Sequence, residues 1–498
     1  MNVLKQKKSG VFGAVVLLFV LAFALRLLKA TYMVPFGEDQ ARDITIVLEH
    51  LSDRKPFVLG PKASAGNFFV HPLYYYLLTV PVYLTNGNPA AVQYMIAFFD
   101  SLTVVVLFAS GYLLSKKLGL ITALLYAVSP YTVGVGGTAW SPHLIPLLSA
   151  CVLYGVLRTF LKNDHTWIML SIVSAVMAFE MHFQGAILLM MLGVLYVYSY
   201  FTKHHSKYWY IGGFLSLLTF LPFLFDLPVF LNNLQSITHF MFVEQKNVFQ
   251  TVRTIPFFWN NMPGFVSEIL GMKAYLLWFD RLLLYGSLGC VGVLALFDVY
   301  RKKSTVPVLL SLLIGSAFVF LRVYKGDKLH YYMLFLIPFI FYLFGYVYML
   351  LEKTLIGRLA AYVTVVLLFF SMGLNQPYLN KDLRGDESRR LKTLVSFMEN
   401  RGTTQYTLLK SDVYYYGVKL LSQQKQIQWY RPGVAAPSVT LVCNYDSHCR
   451  CLSSSSAMSP YLRAEYMALM NDVKPVHCSR SNEYIGDASS VDYLEFTQ

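Results

Sequence analysis

Roughly eleven stretches of about 20 mostly apolar residues follow one another through residues 1–376, and this recurrence leaves little choice of fold. A helix of that length crosses the hydrocarbon of a bilayer. Inside lipid every backbone N–H and C=O must find its partner within the segment, so the stretches are read as helices. They lie near 11–31, 89–115, 118–136, 143–161, 166–181, 183–201, 208–230, 275–299, 306–324, 330–351 and 355–376. Composition agrees: 56% of the 498 residues are hydrophobic and 14% charged, with mean hydropathy +0.49, whereas soluble domains carry about 25% charged residues. The fold class is an α-helical polytopic membrane protein. The segment 72–84 is apolar but too short to cross, and is read as a helix lying at the interface.

The net charge of +14 is not read as a nucleic-acid signal. The basic residues sit in short connections between apolar stretches, where membrane orientation accounts for them. Lys5/Lys7/Lys8, Lys116/Lys117, Lys162, Lys203/Lys207, Arg301/Lys302/Lys303 and Lys353/Arg358 fall on alternate connections. The positive-inside rule puts these in the cytoplasm, with the N-terminus, and an odd number of crossings then puts the C-terminus outside. The basic, then apolar, N-terminus imitates a signal peptide, but no small-residue cleavage site precedes Met33, so the first helix is read as retained. Three longer segments face outside: 32–88, 231–274 and 377–498. The expected division is a transmembrane domain, 1–376, and an extracytoplasmic domain, 377–498.

In that C-terminal domain, Leu391, Leu394, Val395 and Met398 repeat at helical spacing within 382–401, and β-like runs follow at Thr404–Leu409 and Ser438–Cys443. A small α/β or α+β domain is expected. Cys151 and Cys290 lie in apolar stretches and read as inert core residues. Cys443, Cys449, Cys451 and Cys478 cluster in the outer domain and are candidates for two disulfides, with the pairing open. Zinc is the rival, disfavoured because Cys449-Arg450-Cys451 lacks the usual ligand spacing.

The residues with chemical potential begin just after the first helix, at Gly37-Glu38-Asp39-Gln40-Ala41-Arg42-Asp43. A carboxylate held at the membrane–water boundary can act as a base on a substrate whose other end lies in lipid. The structural alternative is a solvated helix cap that satisfies the amides of residues 40–42. A Gly/Pro-shaped loop, 59–67, follows, then Phe68-Phe69-Val70-His71-Pro72-Leu73-Tyr74-Tyr75-Tyr76-Leu77.

This order resembles the membrane glycosyltransferases of the protein O-mannosyltransferase and aminoarabinose transferase type, which have the GT-C fold. The aminoarabinose transferases carry Asp-Glu-x-Arg in this loop and Lys-Pro-Pro-Leu-Tyr-Trp-Leu after it. The counterparts here are Asp39-Gln40-Ala41-Arg42 and Val70-His71-Pro72-Leu73-Tyr74-Tyr75. Trp140-Ser141-Pro142-His143-Leu144-Ile145-Pro146 is similar to a Trp-Asn-Pro-x-x-x-Pro segment of bacterial members. Met181-His182-Phe183-Gln184-Gly185 and His330-Tyr331-Tyr332, followed by Pro338, also look family-like. The likeness covers residues 10–350 and leaves out the C-terminal domain.

The resemblance implies transfer of a sugar from a polyprenyl-phosphate donor to a hydroxyl of a glycan, lipid or protein acceptor on the outer membrane face. Asp39 aligns with the catalytic Asp of the family. Gln40 stands where the family has Glu, which leaves Glu38 as the second candidate base. One base and a single displacement imply inversion at the anomeric carbon. The leaving phosphate calls for cations rather than an acid. Lys62, Arg253, Arg322, Lys325 and Lys328 are candidates, since outside cations oppose the orientation rule; plain solvation or headgroup contact is their alternative. Arg42 is open between pairing with Asp43 and binding phosphate. His71, Tyr75, His143, His182 and His330 are candidates to line the substrate cavity, against the alternative of hydrogen-bonded core residues. No metal-site spacing occurs, so no metal or other cofactor is expected to be obligatory. Gly134-Val135-Gly136-Gly137 follows no strand and reads as close helix packing. Two rival functions remain: a lipid-linked sugar transporter or flippase, for which hydropathy shows no internal repeat, and a non-catalytic scaffold, which would tolerate loss of Asp39.

Overall fold

The computed structural model describes residues 2–32, 38–63, 67–240, 262–271, 277–301, 305–323 and 330–376, and five strands between 405 and 497. The chain falls into two compact units, one of Met1–Tyr32 with His50–Lys381, the other of Met33–Glu49 with Asp382–Gln498.

The first unit is helical. Among the described residues eight helices are long and apolar enough to cross a membrane, or nine if one bent pair is a single crossing. The chain is thus an integral membrane protein. His165–Met181 and Val306–Leu321 are shorter apolar helices standing where the sequence reading placed full crossings. The expected stretch 118–136 is not straight: α5 (Lys116–Val128) and α6 (Pro130–Gly136) meet at 65°. Ser129 and Pro130 explain the break. The Ser129 hydroxyl accepts the Thr132 N–H, capping α6, and donates to the Ile269 carbonyl at 2.6 Å. Pro130 has no N–H to continue α5 but suits a first helical position. The stretch 208–230 also breaks. A 3-10 segment around Pro222 ends at Phe225, and Asp226 caps a new helix, Leu227–His239, through the Val229 N–H at 3.1 Å. The apolar segment after His71 forms a separate helix of 13 residues, α3 (Leu73–Thr85), closed by Asn86 at φ 52°.

One buried charge pair ties the early helices together. Arg26 of α1 (Asn2–Tyr32) donates to Asp100 of α4 (Pro89–Tyr112), and both side chains have 0% exposure. Arg26 also donates to the carbonyls of Ala22 and Ala127, each at 3.1 Å, and to the Thr132 hydroxyl at 3.3 Å. The Tyr126 hydroxyl donates to the other Asp100 oxygen at 2.5 Å. Gly136 lies against the pair so closely that a Cβ there would collide with Asp100. The Gly134–Gly137 run is therefore a packing surface for α1. Gly111 and Gly119 play a similar part where α4 turns into α5, each leaving no room for a Cβ against the other helix's backbone. Cys151 is half-buried, whereas Cys290 is exposed on the helix Leu277–Tyr300, so only the first fits the expected core position.

In the second unit, β1 (Gln405–Thr407), β2 (Gln428–Trp429), β3 (Ser438–Cys443), β4 (Lys474–Ser481) and β5 (Val491–Thr497) form one sheet in the order β2-β1-β3-β5-β4. β1 runs parallel to β2 and β3, while β5 is antiparallel to both β3 and β4. β1 and β3 match the runs expected from sequence. The helix expected within 382–401 lies outside the described residues, as do Cys449 and Cys451. Cys443 pairs with Asp492 and Cys478 with Leu494, on opposite sides of β5. Two strand spacings, about 9–10 Å, separate their backbones, beyond the roughly 7 Å Cα reach of a disulfide. This register does not accommodate a Cys443–Cys478 bridge.

Replacing one member of the buried pair alone, Asp100→Leu or Arg26→Met, strands the other charge and is expected to lower stability by about 3–5 kcal/mol. The double variant is expected to regain much of that. Unfolding in detergent across the double-mutant cycle checks this, and purely additive losses would show the pair to be uncoupled.

Candidate active site

The acidic segment is a helix. α2 (Glu38–Asp53) presents Ala41, Ile44 and Val47 at near-helical spacing, and all three are buried. Arg42 bridges two carboxylates: Nη1 donates to Asp39 Oδ1 at 2.7 Å, while Nε and Nη2 donate to Asp43 Oδ1 at 3.0 and 2.9 Å. The two ends of this bridge differ. The Asp43 side chain is 3% exposed and that of Asp39 is 42% exposed. Asp43 thus anchors the guanidinium, and Arg42 in turn holds a carboxylate that still faces solvent. A guanidinium fork suits this two-sided grip. Arg42 is engaged in ion pairing within the helix. Glu38 opens α2, and its side chain lies outside the described residues.

The other candidates lie in the first unit, and three sequence motifs meet there. Ser141–Leu144 is a 3-10 turn leading into α7 (Ile145–Lys162), and it places His143 under Trp140, with ring centroids 5.5 Å apart. Trp140 meets Tyr331 at 4.9 Å, and Tyr331 meets Tyr332 at 4.2 Å. Both tyrosines approach His182, at 6.0 and 5.6 Å. His182 sits at the break after α8 (Ile168–Met181) and accepts the Gln184 N–H at 3.4 Å. The buried His143 contacts the Thr138 carbonyl through Nδ1 at 2.8 Å. The Thr138 hydroxyl receives the Lys29 ammonium at 3.0 Å. Lys29 was not singled out by sequence. It occupies the last turn of α1, where a cation reads as a solvated helix end, yet it is 7% exposed.

His71 has a different setting. Its loop is pinned by backbone bonds Gly60 N–H to Val70 and Val70 N–H to Pro61, both 2.9 Å, and by Asn233, which both accepts from and donates to Phe69. Gly60 is needed because a Cβ there would strike the His71 carbonyl. The His71 Nδ1 accepts the Leu73 N–H at 3.2 Å, so its proton sits on Nε2. Glu180 Oε2 lies 3.8 Å from Nδ1, its Oε1 accepts the Thr219 hydroxyl, and Phe220 and Phe223 pack edge-on. Burial pushes the His71 pKa down to about 4, against a smaller opposing effect of the Thr219 carbonyl.

Tyr75 is buried against Phe57, ring to ring at 5.5 Å. Lys62 is exposed and bridges to Phe69 along the loop. His330 pairs with Glu268 at 2.7 Å. Arg253, Lys325 and Lys328 lie outside the described residues, as does the side chain of Arg322. Among the described residues no group of three or more His, Cys, Asp or Glu could hold a metal ion.

No protein-family model matches the chain, and no curated protein matches it by sequence. Solved structures do match. ArnT from Cupriavidus metallidurans bound to undecaprenyl phosphate is 13% identical with a TM-score of 0.60, over 97% of this chain and 98% of that one. The apo state of the same protein gives 0.59 over the same shares, again at 13% identity. An Archaeoglobus fulgidus oligosaccharyltransferase tethered with an acceptor peptide is 14% identical with a TM-score of 0.52, over 84% of this chain and 63% of that one. The chain has the GT-C fold, as the order of its motifs implied.

His71 is neutral in the fold, but an unfolded histidine takes a proton near pH 6.5. Its folded pKa is depressed, so protonation favours the unfolded chain and stability falls as pH drops from about 6.5 towards 4. His71→Asn keeps an acceptor near Nδ1 without the titration. Thermal midpoints measured over this window should fall more steeply for the wild type than for the variant, and parallel curves would contradict the assignment.

Proposed function

We propose that the protein is a glycosyltransferase that moves a sugar from a polyprenyl-phosphate donor to an acceptor hydroxyl at the outer face of the membrane, with inversion. The fold carries this reading: it matches end to end a protein that holds undecaprenyl phosphate. In the proposed reaction Asp39 is the general base. Its exposed carboxylate takes the proton of the acceptor hydroxyl as that oxygen attacks the anomeric carbon. The bond from that carbon to the phosphate oxygen breaks, and the phosphate leaves with the electron pair. Arg42 is a positioning residue: anchored by buried Asp43, it fixes the direction of the Asp39 carboxylate. An isoprenoid tail needs an apolar berth. An apolar cavity of about 220 Å³ lined by Leu288, Val291, Leu310, Ile314, Phe318 and Leu343, among the helices Leu277–Tyr300, Val306–Val323 and Ile337–Leu351, has room for only a short part of such a tail.

Asp39→Asn preserves shape and removes the base. Purified wild type is expected to transfer labelled sugar from a polyprenyl-phosphate donor, and Asp39→Asn to lose about 10²–10⁴-fold in kcat. Equal turnover by both would remove Asp39 from the mechanism.

A further inference from the structure

We propose that the connection between α9 (Ala186–Phe201) and α10 (Tyr208–Leu217) binds the phosphate headgroup of an anionic membrane phospholipid, with Tyr196, Tyr200 and Tyr210 as its hydrogen-bond donors. Three hydroxyls converge there. Those of Tyr196 and Tyr200 lie 2.9 Å apart, those of Tyr196 and Tyr210 3.1 Å, and those of Tyr200 and Tyr210 3.4 Å. Tyr196 and Tyr200 are one turn apart on α9 and share a face; Tyr210 comes from the first turn of α10. The rings support one another. Tyr200 stacks on His205 at 3.9 Å, and Tyr196 meets His205 at 5.2 Å and Trp209 at 5.3 Å. The connection itself is fixed: His204 and His205 donate their backbone N–H groups to the Ser199 carbonyl at 3.0 and 3.1 Å. Lys203 takes φ 60°, a left-handed position that glycine ordinarily fills at a helix end.

The triangle suits an anion. A phosphate oxygen seated over it lies within about 2.7–2.8 Å of all three phenol oxygens, an ordinary O–H···O length. The protons are available. Among the described residues these hydroxyls contact one another and His205 Nε2, which is 3.3 Å from that of Tyr210, and none donates to a backbone carbonyl. Hydroxyls rotate, so all three can turn to an incoming oxygen without stranding a buried group. Beside Tyr196, the indole N–H of Trp209 is buried without a hydrogen-bond partner, and Trp209 is 6% exposed. Charge agrees: the exposed Lys203 and Lys207 bracket His205, and no Asp or Glu occurs between Glu180 and Asp226. A lipid, rather than free phosphate, follows from what adjoins the triangle. Val197, one turn before Tyr200, and Phe214, one turn after Tyr210, are 56% and 66% exposed, on helices long and apolar enough to cross the membrane. A headgroup over the hydroxyls thus lays its acyl chains against these side chains. The connection is one of the basic ones expected to face the cytoplasm, opposite the face proposed for sugar transfer, and the proposal does not depend on that reaction.

The test uses the full chain in detergent, titrated with phosphatidylglycerol or phosphatidylcholine and followed by native mass spectrometry. The wild type is expected to hold phosphatidylglycerol more tightly than phosphatidylcholine. The triple variant Tyr196→Phe, Tyr200→Phe, Tyr210→Phe keeps the rings and removes the hydroxyls; its affinity for phosphatidylglycerol should fall at least about tenfold, the effect of losing charge-assisted hydrogen bonds. Lys203→Gln with Lys207→Gln alters exposed side chains only and should reduce the preference for the anionic lipid, so the proposal is tested even where the triple variant folds poorly, which a thermal midpoint reports. Unchanged phosphatidylglycerol affinity in a folded triple variant overturns the site, as does a wild type that binds both lipids equally. Inorganic phosphate added at the lipid's own concentration should leave the bound lipid in place; displacement would assign the site to a soluble phosphate and overturn the lipid.

Discussion

A guanidinium inside a bilayer must be neutralised where it lies, because the hydrocarbon offers nothing to solvate it. Arg26 meets this demand with Asp100, and the rest of the helical unit is arranged around that pair. Asp100 fixes α4 against α1. The carbonyl of Ala127 and the hydroxyl of Thr132 bring in the end of α5 and the start of α6. The bend at Ser129-Pro130 is what allows both to face one charge. Gly136 then lets α6 lie against the pair, and the next residues, Gly137 and Thr138, meet Lys29 one turn further along α1. The geometry around Lys29 is a consequence of the geometry around Arg26.

Much of the fold could be read from hydropathy, because the length of an apolar stretch is a direct physical requirement of the bilayer. What hydropathy cannot resolve is a break inside an apolar stretch. Pro130 and Pro222 both sit in runs of uniform apolarity, and only the caps beside them, Ser129 and Asp226, mark where one helix ends and another begins. The motifs containing Trp140, His182 and Tyr331 were visible as separate segments. Their meeting was not, since it depends on how helices far apart in sequence pack. Lys29 was hidden for a related reason. A last-turn lysine looks the same in sequence whether its ammonium is in water or under a neighbouring segment, and Gly137-Thr138, which decide the matter, are over a hundred residues away in the chain.

The polar residues divide by how they are held. Arg42 and Asp43 are paired inside α2, and Arg42 also reaches Asp39. His71 is wedged among Phe220, Phe223 and Glu180 and secures the loop that sequence had marked as a candidate site. Tyr75 is packed into the core. By contrast, Asp39 retains exposure, and Lys29, His143 and His182 share one cluster with the aromatic groups of Trp140 and Tyr331. Burial alone would have ranked these residues differently.

The most direct test of the account is the anomeric configuration of the transferred sugar, compared with that of the donor. One-bond carbon–proton coupling measured by NMR on product made by the purified wild type reports it. A single displacement assisted by Asp39 predicts inversion. Retention would require a covalent sugar–enzyme intermediate or a second displacement, and would contradict the mechanism.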